Sequence, residues 1–202
     1  MSQSDSAFDG QDFAQTGRVW LRGALDAAAL ERLRVAADMG ERPGARVTRD
    51  TPLWSELASG AVSQAMRPLL SEMQPDARPV RVVSFAKGTG RNWGVPWHQD
   101  RIIAVKERHA ARGYKNWSQK AGAWHCEPPL SVLEQMLFVR VHLDDNMADN
   151  GAMQIALGSH AEGAVAAEDA ERVAGAYEQE VCTARAGDIL IMSMLLLHRS
   201  GP

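Results

Sequence analysis

Residues 95–105 read VPWHQDRIIAV, and how this run is folded decides the rest of the chain. Its β-branched and aromatic residues mark it as a β-strand, in which successive side chains leave on opposite faces. His98 and Asp100 then project together, with Gln99 on the other face in a structural role. An imidazole and a carboxylate side by side on a rigid element supply one nitrogen and one oxygen donor. An isolated pair of this kind arises readily by chance, as a surface or satisfied core pair, so a third partner has to be found. It should be a histidine on a neighbouring strand, distant in sequence.

The run 189–198, ILIMSMLLLH, reads as one long apolar strand ending in such a histidine, His198, on the face of Met192, Met194 and Leu196. Two histidines and one aspartate are the donor set of the facial triad of non-haem Fe(II) sites. Such a triad covers one side of an octahedral ion. The three open positions suit a bidentate 2-oxo acid and dioxygen.

Outward from these two strands, the chain divides into helices first and strands after. Asp26 caps a helix with the apolar stripe Leu30, Leu33 and Ala37, and Gly40 is its stop. The spacing of Leu53, Leu57, Ala61 and Ala65 predicts a second helix within 52–70, capped by Thr51, with Pro52 in its first turn and Gly60 as a weak point. From residue 79 the period changes to that of strands. PVRVVSFA is strand-like, and KGTGRNWGVPW is a Gly-rich loop leading into the opening run. MLFVRVHLDD (136–145) alternates, with Leu137, Val139, Val141 and Leu143 on one face and Met136, Phe138, Arg140 and His142 on the other. A turn at Asn150-Gly151 precedes a short strand, and QEVCTA is another. Residues 104–126 are long, polar and aromatic, and read as a lid between the metal strand and the next one. The order points to a single domain over 1–202, a sandwich or barrel of antiparallel strands with flanking helices, preceded by a flexible tail at 1–10.

Composition narrows the function. In 202 residues, 45% hydrophobic and 23% charged, there is room for a sizeable core. A net charge of −3 gives no basic surface for nucleic acid. The N-terminus lacks the basic start and apolar run of a signal peptide, and the run 189–197 is too short to span a bilayer. Two cysteines, Cys126 and Cys182, form no framework and fit a reducing cytoplasm.

Several blocks agree in order and wording with a known family. PWHQDRIIAV, WSQKAG, PPLSVLEQMLFVRVHLDDNMADNGAMQIALGSH and AGDILIMSMLLLHRS resemble the phytanoyl-CoA dioxygenase (PhyH) family of Fe(II)/2-oxoglutarate-dependent oxygenases in its bacterial branch, over about residues 12–202. The resemblance implies a double-stranded β-helix (a cupin-like jelly roll) and an Fe(II) centre on His98, Asp100 and His198. It implies 2-oxoglutarate contacts at Ser200 and, in the block after the metal strand, at Trp117. It also implies hydroxylation of a small-molecule metabolite by dioxygen, with release of succinate and CO2. Asp100 stands where related halogenases have a small residue, which favours hydroxylation over halogenation. One departure concerns the basic residue that the family places beyond the distal histidine for the far carboxylate of 2-oxoglutarate. The sequence here ends at Pro202, so the expectation is a final strand beyond it, with Arg140 and Lys120 as substitutes in its absence.

Competing readings remain at this level. A barrel of the same fold could bind a small molecule without oxidising it, or the metal could serve a hydrolase or isomerase. KGTG at 87–90 precedes no helix pattern and reads as an active-site loop, not a phosphate cradle. His125, Cys126 and Cys182 lack zinc-ligand spacing. His142 lines the pocket or packs, His160 stabilises a turn, and His109 lies in an exposed charged segment.

Overall fold

The structure is a computed structural model that describes residues 10–38, 44–85, 94–120 and 122–201. The expected tail up to residue 9, the helix stop at Gly40 and residues 86–93 of the Gly-rich loop lie outside these.

Six helices are described: α1 (Gly10–Thr16), α2 (Ala27–Ala37), α3 (Pro52–Ser59), α4 (Ala61–Met73), α5 (Leu130–Leu133) and α6 (Ala170–Ala174). The strands are β1 (Arg18–Leu21), β2 (Gly44–Val47), β3 (Val82–Phe85), β4 (Val95–His98), β5 (Ile103–Val105), β6 (Lys115–Lys120), β7 (Ala123–Glu127), β8 (Leu137–Val141), β9 (Met153–Ala156), β10 (Gln179–Val181), β11 (Ile189–Ser193) and β12 (His198–Ser200). Asp26 caps α2 by accepting from the Ala29 amide at 2.7 Å, and Thr51 caps α3 by accepting from Trp54. The helix expected over 52–70 is instead two helices. Gly60 ends α3 and starts α4, and a side chain there would run into Glu56.

Two antiparallel sheets face each other. One has the order β1-β11-β8 and the other β10-β9-β12-β4. β11 is the centre of the first sheet and is buried along its whole length. Strand alternation splits it between two cores. Ile189 and Ile191 join Leu30, Leu33, Leu53, Val62 and Leu69 of the helices, whereas Leu190 and Met192 join Met153, Ile155, Cys182, Trp20 and Phe138 between the sheets. The alternation expected for β8 holds except at Val139, which is exposed: Leu137, Val141 and Leu143 pack on the helical side, and Phe138 on the inner side. Behind the second sheet, Trp97 and Leu197 pack on Ala170 and Ala174 of α6. The result is the expected mainly-β jelly-roll core with flanking helices.

β1 joins the first sheet from the far end of the chain, Arg18 opposite Met192 and Leu21 opposite Ile189. The close approach depends on Gly17, at φ +76°. Its carbonyl accepts from the Ser193 amide, and a Cβ there would strike His160 and Leu196.

Three expectations need correction. The run 95–105 is not one strand: β4 ends at His98, residues 99–102 are irregular, and β5 begins at Ile103. The run 189–198 is not one strand either. β11 ends at Ser193, whose Oγ accepts from the Leu195 amide in a turn, and His198 opens β12 in the opposite sheet. His198 therefore does not continue the face of Met192 and Met194. Third, the lid expected over 104–126 is not an irregular excursion: its described residues, 104–120 and 122–126, form the greater part of a three-stranded sheet, order β5-β7-β6. Its inner face buries Ile103, Cys126 and Trp117 against Leu133 and Leu195, and the polar residues that suggested a loop lie elsewhere on it. No described helix is long and apolar enough to cross a membrane.

Candidate metal centre

β4 and β12 pair with His98 directly opposite His198, so the two imidazoles are cross-strand neighbours, ring centroids 4.2 Å apart. The ladder shifts register between His198 and Ser200, which ends regular pairing beside the histidines. Each ring is oriented in the same way. Nδ1 of His98 lies 2.8 Å from the Pro96 carbonyl, and Nδ1 of His198 lies 2.9 Å from the Leu196 carbonyl. A carbonyl only accepts, so in the neutral rings the proton sits on Nδ1 and the Nε2 lone pairs are left free for a cation.

Asp100 reaches the same point from the turn after β4. Its Oδ2 is 3.7 Å from His198 Nε2, and one donor atom from each of His98, Asp100 and His198 lies within 4.8 Å of the others. Among the described residues this is the one group of histidine, cysteine, aspartate or glutamate side chains so arranged. Burial alone would raise the Asp100 carboxyl. The hydrogen-bonding contact and charge attraction of His198, then His98 and Arg81, outweigh it and hold the carboxyl below its ordinary range. Burial, and after it the neighbouring His198, pushes the His98 imidazole down. Neutral imidazoles protonated on Nδ1 and an ionised carboxylate are the protonation states a divalent cation requires. With metal–ligand bonds of about 2.1 Å, a small inward movement of the three side chains satisfies one ion. The donor set fits Fe(II).

The burial is uneven. The His198 side chain is 6% exposed and that of Asp100 35%, so the centre opens to solvent on the Asp100 side. Phe138 of β8 closes the interior side, its ring centroid 5.6 Å from that of His198.

Two residues beyond Phe138 on the same face of β8 is Arg140. Its guanidinium is buried, meets the Met153 sulfur at 3.8 Å, and has no carboxylate partner among the described residues. Burial pulls its pKa down. Ser200, two residues beyond His198 on β12, stands opposite the same Met153 on β9. Arg140 and Ser200 thus both neighbour Met153. The other two expected cofactor residues lie on the sheet of β5, β6 and β7. Trp117 is taken up by Tyr114, Trp124 and Arg108, and Lys120 is exposed at the end of β6.

His142 lines the interior as expected. Its Nδ1 contacts the Asp188 carbonyl at 3.3 Å, its Nε2 is buried without a partner, and burial, with Arg140 adding to it, pushes its pKa down to about 4. Cys126 and Cys182 are free thiols in separate apolar clusters. His109 pairs with Glu107 at the surface, and His160 sits in a short 3-10 turn over 159–162. Sequence reasoning missed how the turn holding Asp100 is secured. The Gln99 amide bonds to Gly163, Val165 and Leu195, and Arg101 donates to the Val165 carbonyl. The one signal was an amide placed between two ligands.

Comparison with curated proteins by sequence found no match. Solved structures do match. EctD from S. alaskensis, with 2-oxoglutarate and 5-hydroxyectoine, is 17% identical at a TM-score of 0.66, over 100% of this chain and 73% of its own. The non-heme alpha ketoglutarate dependent carbocyclase SnoK from nogalamycin biosynthesis is 17% identical at 0.60, over 98% and 77%. HygX from Streptomyces hygroscopicus, with nickel and 2-oxoglutarate, is 15% identical at 0.54, over 96% and 81%. At these identities the likeness establishes the fold. The family model described as Phytanoyl-CoA dioxygenase (PhyH) matches residues 13–202.

Proposed function

Because the chain belongs to the phytanoyl-CoA dioxygenase family, we propose that it is an Fe(II)- and 2-oxoglutarate-dependent dioxygenase that hydroxylates a small-molecule metabolite, releasing succinate and CO2. One observation carries the reading: His98, Asp100 and His198 bring one donor atom each within 4.8 Å of one another, with both Nδ1 atoms engaged by backbone carbonyls. When bound there, Fe(II) would supply the activation of dioxygen coupled to oxidative decarboxylation of 2-oxoglutarate.

The residues around the centre have separate tasks. The carbonyls of Pro96 and Leu196 keep the protons on Nδ1 and so fix which nitrogen faces the cation. Arg140 is the anchor for the far carboxylate of 2-oxoglutarate, with the Ser200 hydroxyl across from it. A buried guanidinium that meets a thioether and has no carboxylate partner among the described residues gains most from a carboxylate, which it can hold with two parallel hydrogen bonds. Phe138 shields the His198 ring from the interior. The substrate approaches from the Asp100 side, where the centre is open. The buried free thiols Cys126 and Cys182 suit a reducing compartment such as the cytoplasm.

The test is anaerobic loading with Fe(II), followed by exposure to dioxygen and measurement of succinate formed from 2-oxoglutarate. The wild-type chain is expected to form it and Asp100→Ala to form none. Arg140→Met, which keeps the volume and removes the charge, is expected to raise the 2-oxoglutarate requirement about a hundredfold. Absence of both metal uptake and succinate in the wild type would sink the reading.

A further inference from the structure

The metal triad is assembled from two elements that share few ladder bonds. His198 and His98 face each other at the end of regular pairing, and Asp100 lies past the end of β4 in a stretch with no strand structure. A side chain held by its neighbours' ladder needs no other support. Asp100 has no such ladder, so something else has to fix the turn 99–102.

Gln99 does so with three bonds. Its Nε2 donates to the Gly163 carbonyl at 2.8 Å and to the Leu195 carbonyl at 2.6 Å, and its Oε1 accepts from the Val165 amide at 2.9 Å. Arg101, on the other side of Asp100, donates to the Val165 carbonyl at 2.9 Å. Both flanks of Asp100 are thus fastened to the segment 163–165. The bond to Leu195 does more. Leu195 lies in the turn between β11 and β12, and the next carbonyl, that of Leu196, is the one that orients His198 through Nδ1. One amide therefore lies between two ligands in sequence and bonds to the segment that orients the third.

We propose that Gln99 is a positioning residue that sets the spacing of His98 and Asp100 against His198, by tying the turn after β4 to the Leu195 carbonyl and to the segment 163–165. The inference rests on the dioxygenase reading for the identity of the ion, and not for the clamp itself. Two donors and one acceptor are all used, so no other side chain of this length replaces it. A glutamate keeps an acceptor for Val165 and turns its charge on two carbonyls. A methionine keeps the volume and loses all three bonds.

The test compares wild type, Gln99→Met and Gln99→Glu in two ways, with Gln154→Met as control. Gln154 is a partly buried amide that bonds to Arg199 on the other face of the second sheet. The first measurement is calorimetric titration of the metal-free chain with Fe(II) under argon. Both Gln99 variants are expected to bind about 10- to 100-fold more weakly, the range for residues that orient ligands, and Gln154→Met to bind as wild type. The second measurement is backbone hydrogen exchange without metal. Segments 99–101, 163–165 and 194–198 are expected to exchange faster in Gln99→Met and not in the control. A Gln99→Met chain that loses thermal stability but keeps wild-type Fe(II) affinity and wild-type exchange in those segments overturns the proposal. A wild type that takes up no Fe(II) counts against the dioxygenase reading, and the exchange measurement then decides the clamp alone.

Discussion

Strand β11 and the turn that carries Asp100 are held in place by different means. β11 is paired on both edges, with β1 and with β8, and Ile189 to Met192 are fully buried with apolar partners on both faces. The turn at 99–101 has no ladder at all, and its order comes from side chains bonded to distant backbone. In β11 each residue is replaceable by another of similar volume. In the turn, the position of one carboxylate depends on a few side-chain bonds from Gln99 and Arg101. Stability lives in the first region and metal geometry in the second.

The sharpest break between them is Asp100→Ala. Fe(II) binding is expected to fall below detection in anaerobic calorimetry, while the thermal midpoint moves by less than about 3 °C, since no apolar core is disturbed. Wild-type affinity in this variant would remove Asp100 from the centre. The opposite result is expected for Ile191→Ala. It leaves a cavity between β11 and the helices and costs about 2–5 kcal/mol in denaturant unfolding, with the metal affinity of the folded fraction unchanged. Next comes acid. His142 has its folded pKa pushed from 6.5 to about 4, so below pH 6.5 the unfolded chain binds a proton that the native chain does not. Stability is therefore full above about pH 6.5 and is lost as the pH falls toward 4, by about 3 kcal/mol. Unfolding curves across that range should show the slope, and His142→Phe should flatten it. The smallest effect belongs to neither region. Arg172→Ala removes an exposed pair with Asp169 and is expected to change stability by less than about 0.5 kcal/mol.

The same division explains what could be read in advance. The alternation of Leu137 to Leu143 revealed both faces of β8, because a half-buried strand must alternate. The triad was legible because ligand chemistry restricts the residue types. The run 189–198 was not, because both β11 and the turn after it are apolar throughout and carry no period. Ser193, whose hydroxyl makes that turn, was the one mark of a break. That residues 104–126 form strands is hidden because YKNWSQK mixes charged and aromatic residues, and the packing of Trp117 on Leu195 and Leu133 shows which face is inner. The support of Asp100 could not be read at all. It depends on contacts between residues 99 and 163–195, which no local pattern encodes.

The pairing of β1 with β11, Arg18 opposite Met192, has a kinetic consequence. The first described strand and the last sheet strand before the distal histidine must find each other across almost the whole chain, and β4 must wait for β12 across a hundred residues. Contacts of such separation incur the loop-closure cost before they return any energy, so the chain belongs among slow folders of the millisecond-to-second class. During synthesis the helices α2 to α4 emerge long before the strand that covers their apolar face. Until residues 189–193 leave the ribosome, Leu33, Val62 and Leu69 have no sheet to pack on, and the centre at His98 cannot close.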